Sequence, residues 1–459
     1  MPQPSPTPNA PDSVRPSLNK VAVPIVGEFL LGMSVALGGL YLASHTSDGA
    51  AGSFGMVQQI LETLFVVFRV LAIGVGVVVT RLLGSGDIEQ AGRTARAALG
   101  ACTWAGIAVA LWLVFGAEAT LDVLNAPEEL WSMAELYMLL LAPSMLLEAY
   151  NLCMAAVLRA HLLARESLLI MVAMHGSHLL LAWLFMRGVG DWAGWDLNGY
   201  AVAWFISRCI GLALHLLMWQ RRMNLAPRQQ DWWLVPRSAV LPVLRIGIPG
   251  AAFELVYRIA FMVSVSATAR LGVAALATHS YTLQTLKYVL LISMSIGWAC
   301  EIMVGRLVGA GNFREADLIV RKGVRNGLLA SGGLAILVAI ASPWLMRGFT
   351  RDPAIIHVAQ TLLWISVLLE LGRVFNLVIP GALRASGDIH FPLQSGVVSQ
   401  LLMLGLGSYL LGRTFGLPGI WLAYAGDECL RAAMVWWRWK SGGWLKHAQA
   451  TVEGLRQPQ

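Results

Sequence analysis

Charge is what this sequence has least of. Of its 459 residues only 13% are Asp, Glu, Lys or Arg, about half the ~25% usual in soluble domains. With 57% hydrophobic residues and a mean hydropathy of +0.65, the chain cannot cover a water-facing surface, so its solvent is largely lipid. The apolar stretches are helix-length and lack the ten-residue alternation of barrel strands. Helices satisfy their own backbone in hydrocarbon, so an all-α integral membrane protein is expected. Cysteine is also sparse. Cys102, Cys153, Cys209, Cys300 and Cys429 show no CxxC spacing, which indicates neither a disulfide framework nor a metal site. They read as small packing residues. A glycine-rich P-loop is missing, so ATP is not the expected energy source and no cofactor is expected. HExxH, GxSxG and a repeated acid–base constellation are missing too, so an enzyme is not expected. Nothing resembles a channel filter.

The formal net charge is +7, but the basic residues lie in short loops between apolar spans. That fits positive-inside topology rather than nucleic-acid binding. One side carries Arg93, Arg96, Arg159, Arg165, Arg314, Arg321 and Lys322. The other carries Asp48, Glu118, Asp122, Glu128 and Asp196. Both termini are expected in the cytoplasm, in a multi-pass inner (cytoplasmic) membrane protein. The Pro-rich opening, MPQPSPTPNAPDSVRPS, has no apolar h-region and reads as a disordered tail rather than a signal peptide.

What is present is a duplication. Arg306 to Arg321, RLVGAGNFREADLIVR, repeats Arg81 to Arg96, RLLGSGDIEQAGRTAR, with six of sixteen positions identical at an offset of 306 − 81 = 225. The same offset carries Pro24 onto Pro249, Gln59 onto Gln284, Asn151 onto Asn376, and Leu158-Arg159-Ala160 onto Leu383-Arg384-Ala385. Several matches at one offset mean a duplicated unit. Twelve transmembrane helices follow, in two six-helix lobes related by a pseudo-two-fold axis along the membrane normal. The expected spans are 20–44, 52–80, 92–117, 130–157, 166–187 and 197–220, then 243–269, 277–305, 320–346, 354–382, 392–412 and 415–437. The expected divisions are a tail over 1–17, an N-lobe over 18–220, a cytoplasmic linker over 221–240, a C-lobe over 241–438 and a cytoplasmic tail over 439–459. The linker, with Trp232-Trp233 and several arginines, suits a headgroup-level segment. The duplicated corners place Gly84, Gly86, Gly309 and Gly311 just past a long helix, where glycine permits a left-handed cap. Such a corner is either a helix-turn-helix junction or part of an inner gate.

Ionisable groups inside the spans are the candidate site, because each is costly in hydrocarbon. Glu28 follows Pro24 by four residues and Glu254 follows Pro249 by five. A proline frees a carbonyl about one turn back, and a carboxylate near freed carbonyls suits a proton or Na⁺ site. Glu254 has a second reading, a salt bridge to Arg258 one turn on. Gln59, Glu62 and Arg69 share a face of the second helix, and Gln284 and Lys287 are their counterparts in the eighth, 62 + 225 = 287. Structural pairing and a cavity or gating role both remain open for them. Glu148, Glu370 and Arg373 are further intramembrane charges, with Glu148 meeting Arg373 by offset. Glu301, Asp427, Glu428 and Arg431 read as interfacial ion pairs near helix ends. His175, His178 and His215 read as packing groups rather than metal ligands, and Trp192, Trp195, Trp436, Trp437 and Trp439 as an interfacial belt.

The TRLLGSGD and GRLVGAGN corners, LRASGD after the tenth span, GIPGAAFELVY and DECLRAAMVWWRWKSGGW resemble the bacterial branch of the MATE (multidrug and toxic compound extrusion) transporters. The resemblance covers nearly the whole chain. It implies a V-shaped pair of lobes around a central cavity, alternating access, and export of amphipathic, often cationic organic compounds in exchange for H⁺ or Na⁺. Partners are then small organic molecules and the lipid bilayer, for a monomer. The alternative is a lipid-linked precursor flippase, or an exporter of one metabolite, of the same superfamily. Many members of that family carry an aspartate near Gly39 and an acid near Arg373. Their replacement here moves the expected coupling role to Glu28 and Glu254 and away from Na⁺.

Overall fold

The computed structural model describes residues 17–124, 126–188 and 191–456. The tail read over 1–17 lies outside the described residues except for Ser17. The first lobe comprises α1 (Leu18–Ser44), α2 (Asp48–Ser85), α3 (Ile88–Phe115), α4 (Glu128–Ala160), α5 (Ala164–Arg187) and α6 (Asp196–Met223). A short helix, Ala117–Val123, joins α3 to α4. The second lobe comprises α7 (Arg237–Ala269), α8 (Val273–Gly309), α9 (Phe313–Arg347) and α10 (Pro353–Ser386). It ends with α11 (390–415) and α12 (417–440), followed by α13 (Gly443–Arg456).

Among the described residues, eleven helical stretches are long and apolar enough to cross a membrane. The last of them, His390–Lys440, has 51 residues. At 1.5 Å per residue that is about 75 Å, more than twice the ~30 Å hydrocarbon core. It breaks at Gly416, φ 62° and ψ −144°, so it makes two crossings and the bundle has twelve. Helices α9 and α11 each contain a π-helical stretch, Leu328–Gly332 and Gln400–Gly407.

The duplicated corners are built alike. Gly86 (φ 86°) and Gly311 (φ 73°) take the left-handed turn. Asp87 then caps α3 by accepting from Gln90 N–H at 2.9 Å, and Asn312 caps α9 by accepting from Glu315 N–H at 3.2 Å. Gly84 and Gly309 do something else. They sit inside α2 and α8, where a Cβ would lie 2.0 Å from the carbonyl oxygens of Arg306 and Arg81 respectively. They are glycine so that the two lobes can touch.

The linker is not free at headgroup level. Its 3₁₀ turn, Gln229–Trp232, docks on the N-lobe. Trp232 packs edge-on against Tyr150, Asp231 faces Arg96 at 3.5 Å, and the Trp233 carbonyl accepts from Trp104 Nε1 at 3.1 Å. Of the two linker tryptophans, Trp233 is the exposed one. Trp439 likewise leaves the expected belt: it is buried, stacks on Trp444 of α13 at 4.3 Å and donates to Asp317 at 2.9 Å.

Candidate functional site

The lobes meet where α2 packs on α8 and along two flanking seams, α2 against α7 and α1 against α8. The two seams are counterparts under the 225-residue repeat. Backbone contact is closest on the side where the corners lie. A Cβ at Gly74 would be 2.1 Å from the Val243 carbonyl, and one at Gly247 would be 1.9 Å from the Val70 carbonyl. Two arginines tie this side reciprocally. Arg81 of α2 donates to the carbonyls of Ala385, at 2.9 Å, and Arg384 at the end of α10. Its counterpart Arg306 of α8 donates to the Ala160 carbonyl at the end of α4, at 3.0 Å. Since 81 + 225 = 306 and 160 + 225 = 385, the two clasps are one contact made twice. Helix ends leave carbonyls without intrahelical partners, and here the opposite lobe supplies the donors.

Deeper along the α2–α7 seam lies a half-exposed quartet. Arg69 faces Glu254 at 3.5 Å and Glu62 at 3.3 Å, and Arg258 faces Glu62 at 3.6 Å. The expected Glu254–Arg258 bridge on one helix is therefore replaced by crossed pairs between lobes. Glu62 has two arginines and no contact with Lys287, which instead donates to Gln284 at 3.1 Å. Gln59 is exposed on α2. Lys287 and Gln284 thus stand apart from the charged cluster their sequence counterparts join.

The α1–α8 seam is built differently. Glu28 of α1 is buried and accepts from Arg159 of α4 at 2.9 Å, while its Oε1 has no partner. Arg159 lies over the Trp298 ring of α8 at 5.3 Å, and Phe29 packs edge-on against the same ring. The carbonyls freed by Pro24 and Pro249 belong to residues 20 and 245, four back along each helix. Both lie a turn or more from the carboxylates, so a basic side chain, not a freed carbonyl, is each glutamate's partner. Helices α1 and α7 run unbroken through these prolines. At Gly39 a Cβ would be 2.5 Å from Tyr200 Oη and 2.8 Å from the Phe54 ring, so the packing leaves no space for a side chain there.

Within the lobes, Glu148 of α4 pairs with Arg208 of α6, and Arg208 lies over Trp204 at 4.7 Å. In the other lobe Arg373 of α10 pairs with Glu428 of α12 at 3.3 Å. The offset that sets Glu148 against Arg373 thus reflects one α4–α6-type ion pair with its polarity reversed in the second copy. Asn151 and Asn376 mark the same place: each donates to a backbone carbonyl of the facing helix, Arg208 at 3.0 Å and Glu428 at 2.7 Å. Glu370 pairs with Arg373 at 3.3 Å, and Glu301 with Arg384 at 2.9 Å.

Asp427, Glu428 and Arg431 are not interfacial. They lie midway along α12, buried, with Arg431 2.9 Å from Asp427 and 2.8 Å from Glu428. The histidines pack as expected. His178 is wedged between Tyr200 and Trp204, and His215 Nδ1 lies 3.0 Å from Asn151 Oδ1. His279 is a further buried imidazole, edge-on to Trp421. Arg159 and Arg208 were not singled out as site residues in sequence; the signal available was their place inside or beside apolar spans.

A twelve-helix bundle of two duplicated lobes, joined by ion pairs and by reciprocal arginine clasps on one side, is the architecture of a membrane transporter. Two blocks of the chain, residues 24–184 and 249–408, match the family model described as MatE, and the chain belongs to that family. The blocks start 249 − 24 = 225 residues apart, at Pro24 and Pro249. The chain is similar to the uncharacterized transporter YisQ of Bacillus subtilis, 27% identical over 95% of this chain and 96% of that protein. It is similar to a probable multidrug resistance protein NorM of Thermotoga maritima, 24% identical over 97% and 96%. Among solved structures it is similar to the Vibrio cholerae MATE transporter VcmN in the bent form, with TM-score 0.86, 17% identity and coverage of 95% and 97%. A MOP superfamily transporter from Pyrococcus furiosus gives TM-score 0.82 at 16% identity, covering 96% of each chain.

Proposed function

We propose that the protein is a monomeric antiporter of the inner membrane. It exports amphipathic organic compounds, often cationic, in exchange for an inward cation, H⁺ before Na⁺. The corner side is cytoplasmic, as are both termini. The reading rests on one observation above the rest: where the two lobes meet, reciprocal arginine clasps and crossed ion pairs accompany the apolar packing between them. Opening to the cytoplasm releases the Arg81 and Arg306 clasps and the Arg69–Glu254 and Arg258–Glu62 pairs. Glu28 and Glu254 are the coupling carboxylates. Protonating Glu254 weakens its hold on Arg69 of the opposite lobe and lowers the barrier to lobe separation, while protonating Glu28 loosens Arg159 within the N-lobe, beside the seam.

The names of the NorM relatives support the substrate class, and the absence of a P-loop supports gradient-driven work. The quartet is half-exposed, so Glu254→Gln is expected to leave the fold intact and abolish coupled dye efflux from energised inverted vesicles. Wild-type efflux by that variant would place the coupling elsewhere.

A further inference from the structure

Five ionisable side chains form one unbranched run in the buried space between α10 and α12. Glu370 Oε2 lies 3.3 Å from Arg373, Arg373 lies 3.3 Å from Glu428 Oε1, Glu428 Oε2 lies 2.8 Å from Arg431, and Arg431 lies 2.9 Å from Asp427 Oδ2. The signs alternate, negative at both ends. Three carboxylates and two guanidiniums leave one negative charge over, in a place where the least buried of the five side chains is 14% exposed. The other acids described above are matched: Glu28 with Arg159, Glu148 with Arg208, Glu301 with Arg384, and two acids with two arginines in the quartet, while Lys287, Arg81 and Arg306 are cations set on neutral oxygens. A surplus carboxylate in hydrocarbon takes up a proton rather than stay charged.

Connectivity says where that proton goes. Glu428 is held by both arginines and by Asn376 Nδ2 at 2.7 Å, so it stays ionised. Each end acid has only one arginine and turns its other oxygen to hydroxyls. Ser399 Oγ of α11 lies 2.6 Å from Asp427 Oδ1 and 3.0 Å from the Asp427 carbonyl. A serine has one hydrogen. If it serves the carbonyl, the 2.6 Å contact is a hydrogen bond only when Asp427 supplies the other. At the far end Glu370 Oε1 lies 2.6 Å from both Ser293 Oγ of α8 and Ser331 Oγ of α9, themselves 2.7 Å apart. Three short O···O contacts share two serine hydrogens there, and a third on Glu370 completes them. Two orphans flank the middle of the run: Asn376 Oδ1 and Arg431 Nε are buried without partners.

We propose that this run is a one-proton site of the C-lobe, with the proton seated at one of its two ends, on Asp427 or on Glu370. A metal cation suits it poorly, because the carboxylate oxygens already face arginine, asparagine or serine groups. The other titratable neighbours are Tyr257 of α7, within electrostatic reach of the run, and Cys429, whose thiol turns to the Leu368 carbonyl at 3.9 Å. Helix α7 also places Phe253 under Arg431 at 5.5 Å, one residue from Glu254 of the seam. Loss or gain of the proton therefore acts on the helix that carries the seam pairs. This last step rests on the export reading; the protonation itself does not.

The test is infrared difference spectroscopy of the full-length protein in lipid nanodiscs at neutral pH, reading the C=O stretch of a buried protonated carboxyl. One such band is expected in the wild type. It is expected to vanish in Asp427→Asn, Glu370→Gln and Glu428→Gln alike, since neutralising any one acid leaves two acids against two arginines. Each amide variant keeps the run at zero net charge without the proton and keeps a hydrogen-bonding side chain, so none should melt below the wild type. Should one fail to fold, the other two still decide. No band in the wild type, a band that survives the variants, or a band abolished by Na⁺ at constant pH overturns the proposal. If the band behaves as expected but the wild type exports no organic cation, the export reading fails alone. If Asp427→Asn and Glu370→Gln both lose the band yet keep wild-type H⁺ coupling, the proton is structural and the link to α7 is wrong.

Discussion

Glu28 and Arg159 carry opposite charges 2.9 Å apart, with side chains only 6% and 5% exposed. Neither is tolerable there alone. Glu28→Gln strands a buried guanidinium, which costs about 3–5 kcal/mol, while removing both charges together is often close to neutral. Thermal unfolding in detergent is expected to show a large loss for Glu28→Gln and recovery of most of it in Glu28→Gln/Arg159→Met. Equal losses in both would mean that the pair does not hold the site together. His161, in the turn between α4 and α5, adds a pH term. Burial first, and the Arg306 charge in addition, lower its pKa below the usual 6.5, against a raising hydrogen bond to Val157. The unfolded chain then binds the proton more readily, so this residue's contribution is full above about pH 6.5 and is lost as pH falls below it. His161→Gln is expected to flatten the acid side of the stability–pH curve, and an unchanged curve would contradict that. At this scale the sequence showed which spans carry ionisable groups, because they stand out in apolar text. It did not show their partners. Arg159 is 131 residues from Glu28 and Arg208 is 60 from Glu148, and helical spacing reveals only neighbours three or four apart. The alternative reading of Glu254, a bridge to Arg258, arises for that reason, whereas its arginine, Arg69, lies across the seam.

Among the elements, the duplicated corner does two jobs that look alike in sequence. Gly86 and Gly311 turn the chain, and their role was legible from their place after a long helix. Gly84 and Gly309 admit the carbonyls of the opposite lobe, which no local pattern announces. Gly84→Ala and Gly309→Ala are each expected to wedge the corner side open. A cysteine placed at Thr80, which abuts Gly305, should then react faster with a membrane-impermeant thiol reagent than the same cysteine in the parent. Unchanged labelling in both backgrounds would mean that the contact does not control closure. Gly416 is a different case: nothing lies within 4 Å of an added Cβ, so Gly416→Ala carries backbone strain alone, about 1–3 kcal/mol. A melting temperature equal to the wild type would argue against the kink. Asp427, Glu428 and Arg431 fall midway in the expected span 415–437 as in the observed helix, so the interfacial reading followed their charge rather than their depth: a dense polar group was assigned to a helix end, where ions cost least.

For the whole molecule, the repeat explains more than the helix count. The two copies keep their backbone contacts, as the paired clasps, glycines and asparagines show, while their charges diverge. Glu148–Arg208 becomes Arg373–Glu428, an aromatic seam at Trp298 faces an ionic one at Glu254, and surplus negative charge collects in the second lobe only. Architecture was therefore readable from the offset of 225, because packing preserves position. Mechanism was less readable, because equivalent positions no longer carry equivalent chemistry. The central claim is that a cation gradient parts these lobes to move an organic compound outward. Its most direct test is transport of an organic cation by purified protein in proteoliposomes, with ΔpH and Na⁺ gradients imposed separately. Transport driven by ΔpH alone and lost when it is collapsed is the expected result; uptake that persists with both gradients abolished would contradict it.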